Sequence, residues 1–158
     1  ERLGDLARAA GDAAAARDWY TQGLEIARRL AQADPANVDF QRDLSISYNK
    51  LGDLAVAAGD AAAARDWYTQ GLEMRRRLAQ ADPANVQFQR DLSISYDRLA
   101  TLSATSDPAE ARRLWDAART IVQRLAEIDP SNASYARDLA YYDARLAELD
   151  ADGTLQSG

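Results

Sequence analysis

The chain has 158 residues, a formal net charge of −6, and neither cysteine nor histidine. Those absences exclude disulfides, thiolate nucleophiles, the usual zinc ligands and the usual neutral-pH general base. The acidic balance argues against nucleic-acid binding, and the composition, rich in Ala, Arg and Asp with only 8 Gly and 4 Pro, favours helix nearly everywhere.

The first segment, Glu1-Arg2-Leu3-Gly4-Asp5-Leu6, is the end of a helix, because it matches Asn49-Lys50-Leu51-Gly52-Asp53-Leu54 further along. Gly11 then breaks the chain, and Asp12 is an N-cap whose carboxylate can accept the free amide protons of a first helical turn. A second helix is predicted from about Asp12 to Ala33. Its apolar positions Ala16, Tyr20, Gly23, Ala27 and Leu30 are spaced by three and four, with Trp19, Ile26 and Ala33 widening the arc. Asp34-Pro35 ends it, since the residue before proline is pushed out of helical geometry. A third helix runs from about Asn37 to Ala58 with Phe40, Leu44, Tyr48, Leu51, Ala55 and Ala58 on one stripe.

From there the chain repeats itself. Gly11-Asp12 returns as Gly59-Asp60 and Trp19-Tyr20 as Trp67-Tyr68, an offset of 48. Asp82-Pro83 returns as Asp129-Pro130, an offset of 47, one residue having been lost near Thr105. Gly11–Tyr48 and Gly59–Tyr96 differ only at Ile26/Met74, Ala27/Arg75 and Asp39/Gln87. A fixed period of this size implies an array in which each helix pair buries its apolar face on its neighbours. The third copy opens on Asp107-Pro108-Ala109-Glu110, a cap, a first-turn proline and a third-position glutamate. A last helix is predicted at about Asn132–Leu149, closing the stack, with Asp150–Gly158 a disordered tail. Repeat copies are thus expected at 1–36, 37–84 and 85–131, followed by the closing helix 132–149. Because the array starts in mid-copy, the chain is expected to be part of a longer one.

Tyr48-x-x-Leu51-Gly52, followed by Ala64, Tyr68 and Gly71, resembles a tetratricopeptide repeat. The first copy supplies Leu3, Gly4, Ala16, Tyr20 and Gly23, and the third Tyr96, Leu99, Ala100, Ala111, Trp115 and Ala118. Small residues let helices approach closely and aromatic rings fill the remaining space. The chain resembles a long-period variant, since the family's usual period is about 34 residues. The resemblance implies an all-α fold, a right-handed α-solenoid of about seven helices in antiparallel pairs. It also implies a protein-interaction scaffold rather than an enzyme, with a protein or peptide as partner and no cofactor. The chain resembles long-period arrays found as sensor or docking regions of large bacterial signalling proteins; the missing cysteine fits a reducing compartment, and a cytoplasmic location is expected. The alternative reading is an architectural array, natural or consensus-designed, whose ends stack on one another.

Carried over from the family, the binding groove falls on the first helix of each pair. It comprises Arg2, Asp5, Asn49, Lys50, Asp53, Asp97, Arg98 and Thr101, with Arg145 and Glu148 on the last helix. A basic row (Arg2, Lys50, Arg98, Arg145) runs beside an acidic or polar row (Asp5, Asp53, Thr101, Glu148), which suits a mixed-charge peptide. The same charges can also pair within their helices, worth about 0.2–0.5 kcal/mol per pair. Asp5 and Asp53 stand where a carboxylate clamp wants asparagine, so an anionic peptide end is disfavoured. Arg42-Asp43, Arg90-Asp91 and Arg137-Asp138 are read as salt bridges between copies. Arg75-Arg76-Arg77 is read as a solvated helix face, and Trp19 and Trp67 as packing between copies.

Overall fold

A computed structural model describes residues 2–155. These form seven helices and, among the described residues, no strand: α1 Arg2–Ala9, α2 Ala13–Ala33, α3 Val38–Ala57, α4 Ala61–Ala81, α5 Val86–Ser103, α6 Pro108–Ile128 and α7 Ala133–Leu155. The fold is all-α. It divides into two compact units, residues 1–81 and 82–158. Within each, packing runs from one helix to the next in chain order, α1 to α4 in the first and α5 to α7 in the second, as in an α-solenoid. Within each unit, connections of a few residues make consecutive helices antiparallel.

The loops are specified by local chemistry. Gly11 and Gly59 take positive φ (78° and 76°). Behind Gly59, the Asp60 amide donates to the Ala55 carbonyl and the Gly59 amide to that of Val56, at 2.9 Å each. This is the left-handed glycine cap that satisfies the last carbonyls of a helix. Asp60 then accepts from the Ala63 amide (3.0 Å) to start α4, and the Gly11-Asp12 loop repeats the arrangement, with Asp12 accepting from Ala15 (2.9 Å). Before α3 and α5 the cap is an asparagine. Asn37 accepts from the Asp39 and Phe40 amides and Asn85 from those of Gln87 and Phe88. In the second unit Asp107 caps Glu110 (2.9 Å), whose carboxylate accepts the Ser103 hydroxyl (2.6 Å).

The first unit's core runs along α2 and α3 through Ala16, Tyr20, Leu24, Ala27, Ala31, Leu44, Tyr48, Leu51 and Leu54. The predicted stripe on α2 is therefore corrected. Leu24 and Ala31 are inside, while Leu30, Ile26 and Trp19 are exposed. In an alanine-rich helix both flanks of the arc are apolar, and the neighbour decides which one is covered. Ala58, expected on the buried stripe of α3, is likewise exposed. The second unit's core gathers Ala100, Ala111, Trp115, Ala118, Val122, Leu125, Tyr135 and Tyr142.

Two terminal expectations change or fall outside. The last helix does not stop at Leu149 but continues to Leu155, and Asp150, expected in the tail, is paired with Arg112 of α6. Glu1 and residues 156–158 of the expected tail lie outside the described residues.

Candidate partner-binding surface

In the first unit the predicted groove residues sit on α1 and α3. Glycine at position 4 lets the Tyr20 ring lie flat on α1, since a Cβ there would overlap the ring. The same holds for Gly52 and Tyr68. That contact sets each tyrosine hydroxyl beside an aspartate one residue on. Tyr20 donates to Asp5 (2.7 Å) and Tyr68 to Asp53 (2.8 Å). Lys50 Nζ also donates to Asp5 (2.6 Å), tying α3 to α1, and lies over the Tyr20 ring at 5.9 Å. The hydrogen bonds from Lys50 and Tyr20 hold the Asp5 carboxyl below its ordinary pKa. Burial, and then the hydrogen bond to Asp5, push the Tyr20 phenol up to about 12. Arg2 is exposed on the same helix as Asp5.

Asn49 is a correction. It is 4% exposed and does not line an open surface. With its carbonyl oxygen turned to Arg75 it accepts from both guanidinium NH2 groups, at 2.9 and 3.0 Å. Arg75 Nε donates to Ser45 Oγ (3.2 Å), and that hydroxyl donates to the Arg42 carbonyl (2.7 Å). Arg75 is therefore no part of a solvated arginine face. It is a buried, fully engaged guanidinium between α3 and α4. Gly71 makes room for the network, for a Cβ there would press on the Asn49 amide. Of its neighbours, Arg77 pairs with Glu73 (3.2 Å) and Arg76 lies 3.6 Å from the same carboxylate.

In the second unit Asp97 accepts from Trp115 Nε1 (2.9 Å), so Trp115 fills the place of Tyr68 as its alignment predicts. Arg98 is half-buried and Thr101 exposed. Arg145 pairs with Glu148 (2.9 Å), three residues on in the same helix, and lies 5.2 Å over the Tyr141 ring. Burial and then the Asp97 charge raise the Tyr141 phenol. Burial and the charges of Asp97 and Asp138 raise Tyr142 further. Arg90 approaches Asp138 at 3.9 Å, a long contact between α5 and α7 that ties two copies together. Trp67 stacks on Tyr48 of its own copy with ring centres 6.0 Å apart, and Trp19, expected like Trp67 to pack between copies, is exposed.

In the first unit Asp5 on α1 and Asp53 on α3 are each held by a tyrosine of the following helix, and in the second unit Asp97 on α5 is held by Trp115 of α6. Among the described residues there is no group of three or more acidic, cysteine or histidine side chains placed to hold a metal ion. No described helix is long and apolar enough to cross a membrane. Residues 45–85 match the family model described as tetratricopeptide repeat, and that stretch is a tetratricopeptide repeat. No curated protein matches the chain.

Proposed function

We propose that the chain is a protein-interaction scaffold that recognises a protein or peptide ligand through the charged side chains on α1 and α3 of the first unit and on α5 and α7 of the second, as the sensor or docking segment of a larger cytoplasmic bacterial protein. The supporting observation is the tetratricopeptide match over residues 45–85, a repeat class whose business is partner binding. Lys50 of the first unit is half-buried on Asp5, so it is oriented before any partner arrives. Preorganised side chains lose less freedom on binding. In this reading Asp5, Lys50, Asp53, Asp97, Arg98, Thr101, Arg145 and Glu148 carry recognition, with Arg2 at the margin. A pull-down with the Lys50→Glu, Arg98→Glu double variant tests it. Loss of the partner recovered by the parent chain is expected, and undiminished recovery counts against these side chains.

A second reading, an array that assembles end to end, is favoured by one contrast. Leu3 and Leu6 of α1 are 53% and 60% exposed, while their counterparts Leu51 and Leu54 in α3 are 6% and 8% exposed. An apolar edge of this kind invites a further helix pair. Light scattering across a concentration series separates the readings, since a chain monomeric throughout removes the second.

A further inference from the structure

The second helices of the pairs frame another surface. In the first unit a cleft of about 510 Å³ lies between α2 and α4, with α3 as its floor. It runs on into a second cleft of about 410 Å³, the two sharing Gln41, Met74 and Arg77. Along α4 the lining extends from Thr69 to Ala81. At ~1.5 Å per helical residue that is a groove about 18 Å long, the reach of five or six extended residues.

Its floor is apolar, with Leu44, Tyr48 and Met74. Met74 is the only methionine of the chain, and a flexible thioether adapts to varied apolar side chains. It is also one of only three positions at which Gly11–Tyr48 and Gly59–Tyr96 differ. The rims are cationic and amide-bearing. Arg28 and Gln32 stand on α2, and Gln70 and Arg77 on α4. The one carboxylate in the lining, Glu73, is already held by Arg77 and approached by Arg76. Arg28 touches only the Tyr48 hydroxyl, at 3.5 Å, and has no carboxylate partner among the described residues. Two arginines against one neutralised glutamate give the groove a local charge opposite in sign to the net −6 of the chain.

We infer that the α2–α4 groove of the first unit is a second docking site, and that it takes an extended acidic peptide with a large apolar side chain seated over Met74. Arg28 and Arg77 would meet the peptide's carboxylates, guanidinium being the donor that matches a carboxylate fork. Gln32 and Gln70 would serve its main chain, because an amide both donates and accepts and an extended backbone leaves both kinds of group unpaired. A helical ligand would offer them nothing, its backbone being internally bonded. The site is separate from the charged row on α1 and α3 and does not depend on it.

Fluorescence anisotropy of the full chain tests the inference. The probe is a fluorescein-labelled peptide of alternating glutamate and leucine with a central proline that keeps it extended. A lysine-for-glutamate version serves as control. The acidic probe is expected to bind at least tenfold tighter than the basic one, and more weakly as salt is raised. Arg28→Glu is expected to cost at least tenfold, and Lys50→Glu to change nothing. Arg28 is exposed, and circular dichroism checks that the variant keeps its helices. Equal affinity for the two probes, or an unaltered affinity in Arg28→Glu, would overturn the site. Loss of binding in Lys50→Glu with Arg28→Glu unaffected would reassign the peptide to the charged row.

Discussion

The hairpins α1–α2 and α3–α4 share most of their residues where they align, but α1 has 8 residues and α3 has 20. Inside each, the same contact recurs: a glycine, a tyrosine ring laid on it, and an aspartate taking the hydroxyl proton. Outside that contact they part. Leu51 and Leu54 are buried by α2, while Leu3 and Leu6 face solvent. Trp67 stacks on Tyr48, while Trp19 is exposed. Arg75 is engaged by Ser45 and Asn49 of α3, whereas its counterpart in the first copy is an alanine. Leu51 and Leu54 thus owe their burial to the preceding helix, whereas Trp67 and Arg75 find their partners in the longer first helix of their own hairpin.

The largest test of that contrast is a matched pair of truncations. Leu51→Ala is expected to destabilise by about 2–4 kcal/mol, the usual cost of emptying a packed leucine site. Leu3→Ala is expected to cost about 0.5 kcal/mol or less, as for other exposed positions. Urea denaturation of both variants reads the difference, and equal losses would break the comparison. Next comes Arg75→Ala, which gives the second copy the residue of the first. It leaves the buried Asn49 carbonyl without its donors, so a loss of about 1–3 kcal/mol is expected in the same assay. Arg75→Lys should recover little of it, since an ammonium cannot reach Ser45 and Asn49 at once.

The smallest effect is a pH dependence. The Tyr20 phenol titrates higher in the folded chain than in the unfolded one. Its contribution is therefore whole below the unfolded pKa, near 10.0, and is lost as pH climbs through the folded value of about 12. Tyr20→Phe should flatten the fall in thermal midpoint between those two values. A variant that falls as steeply as the parent would place the alkaline transition elsewhere.

Much of this was legible in the residues alone. The Gly-Asp loops, the aspartate caps and the Asp-Pro helix ends depend on neighbours within a few positions, and all stand where the pattern puts them. The pairing of small residues with rings at Gly4/Tyr20 and Gly52/Tyr68 was readable from the repeat. What escaped depends on contacts distant in sequence. Arg75 reads as one of three surface arginines until Ser45, 30 residues earlier, is seen against it. Asn49 reads as a groove residue for the same reason. Leu30 and Ala31 both suit the stripe on α2, and only the position of its neighbours decides for Ala31. The extension of α7 past Leu149 was hidden because its partner, Arg112, lies 38 residues back.

Native-state hydrogen exchange on the intact chain tests most directly the claim that matched residues of the two hairpins acquire their burial, and with it their stability, from the helices packed against them. Amides of α3 and α4 should exchange slowly, by an opening that approaches global unfolding, and those of α1 much faster. Equal protection at matched positions 48 residues apart would contradict it.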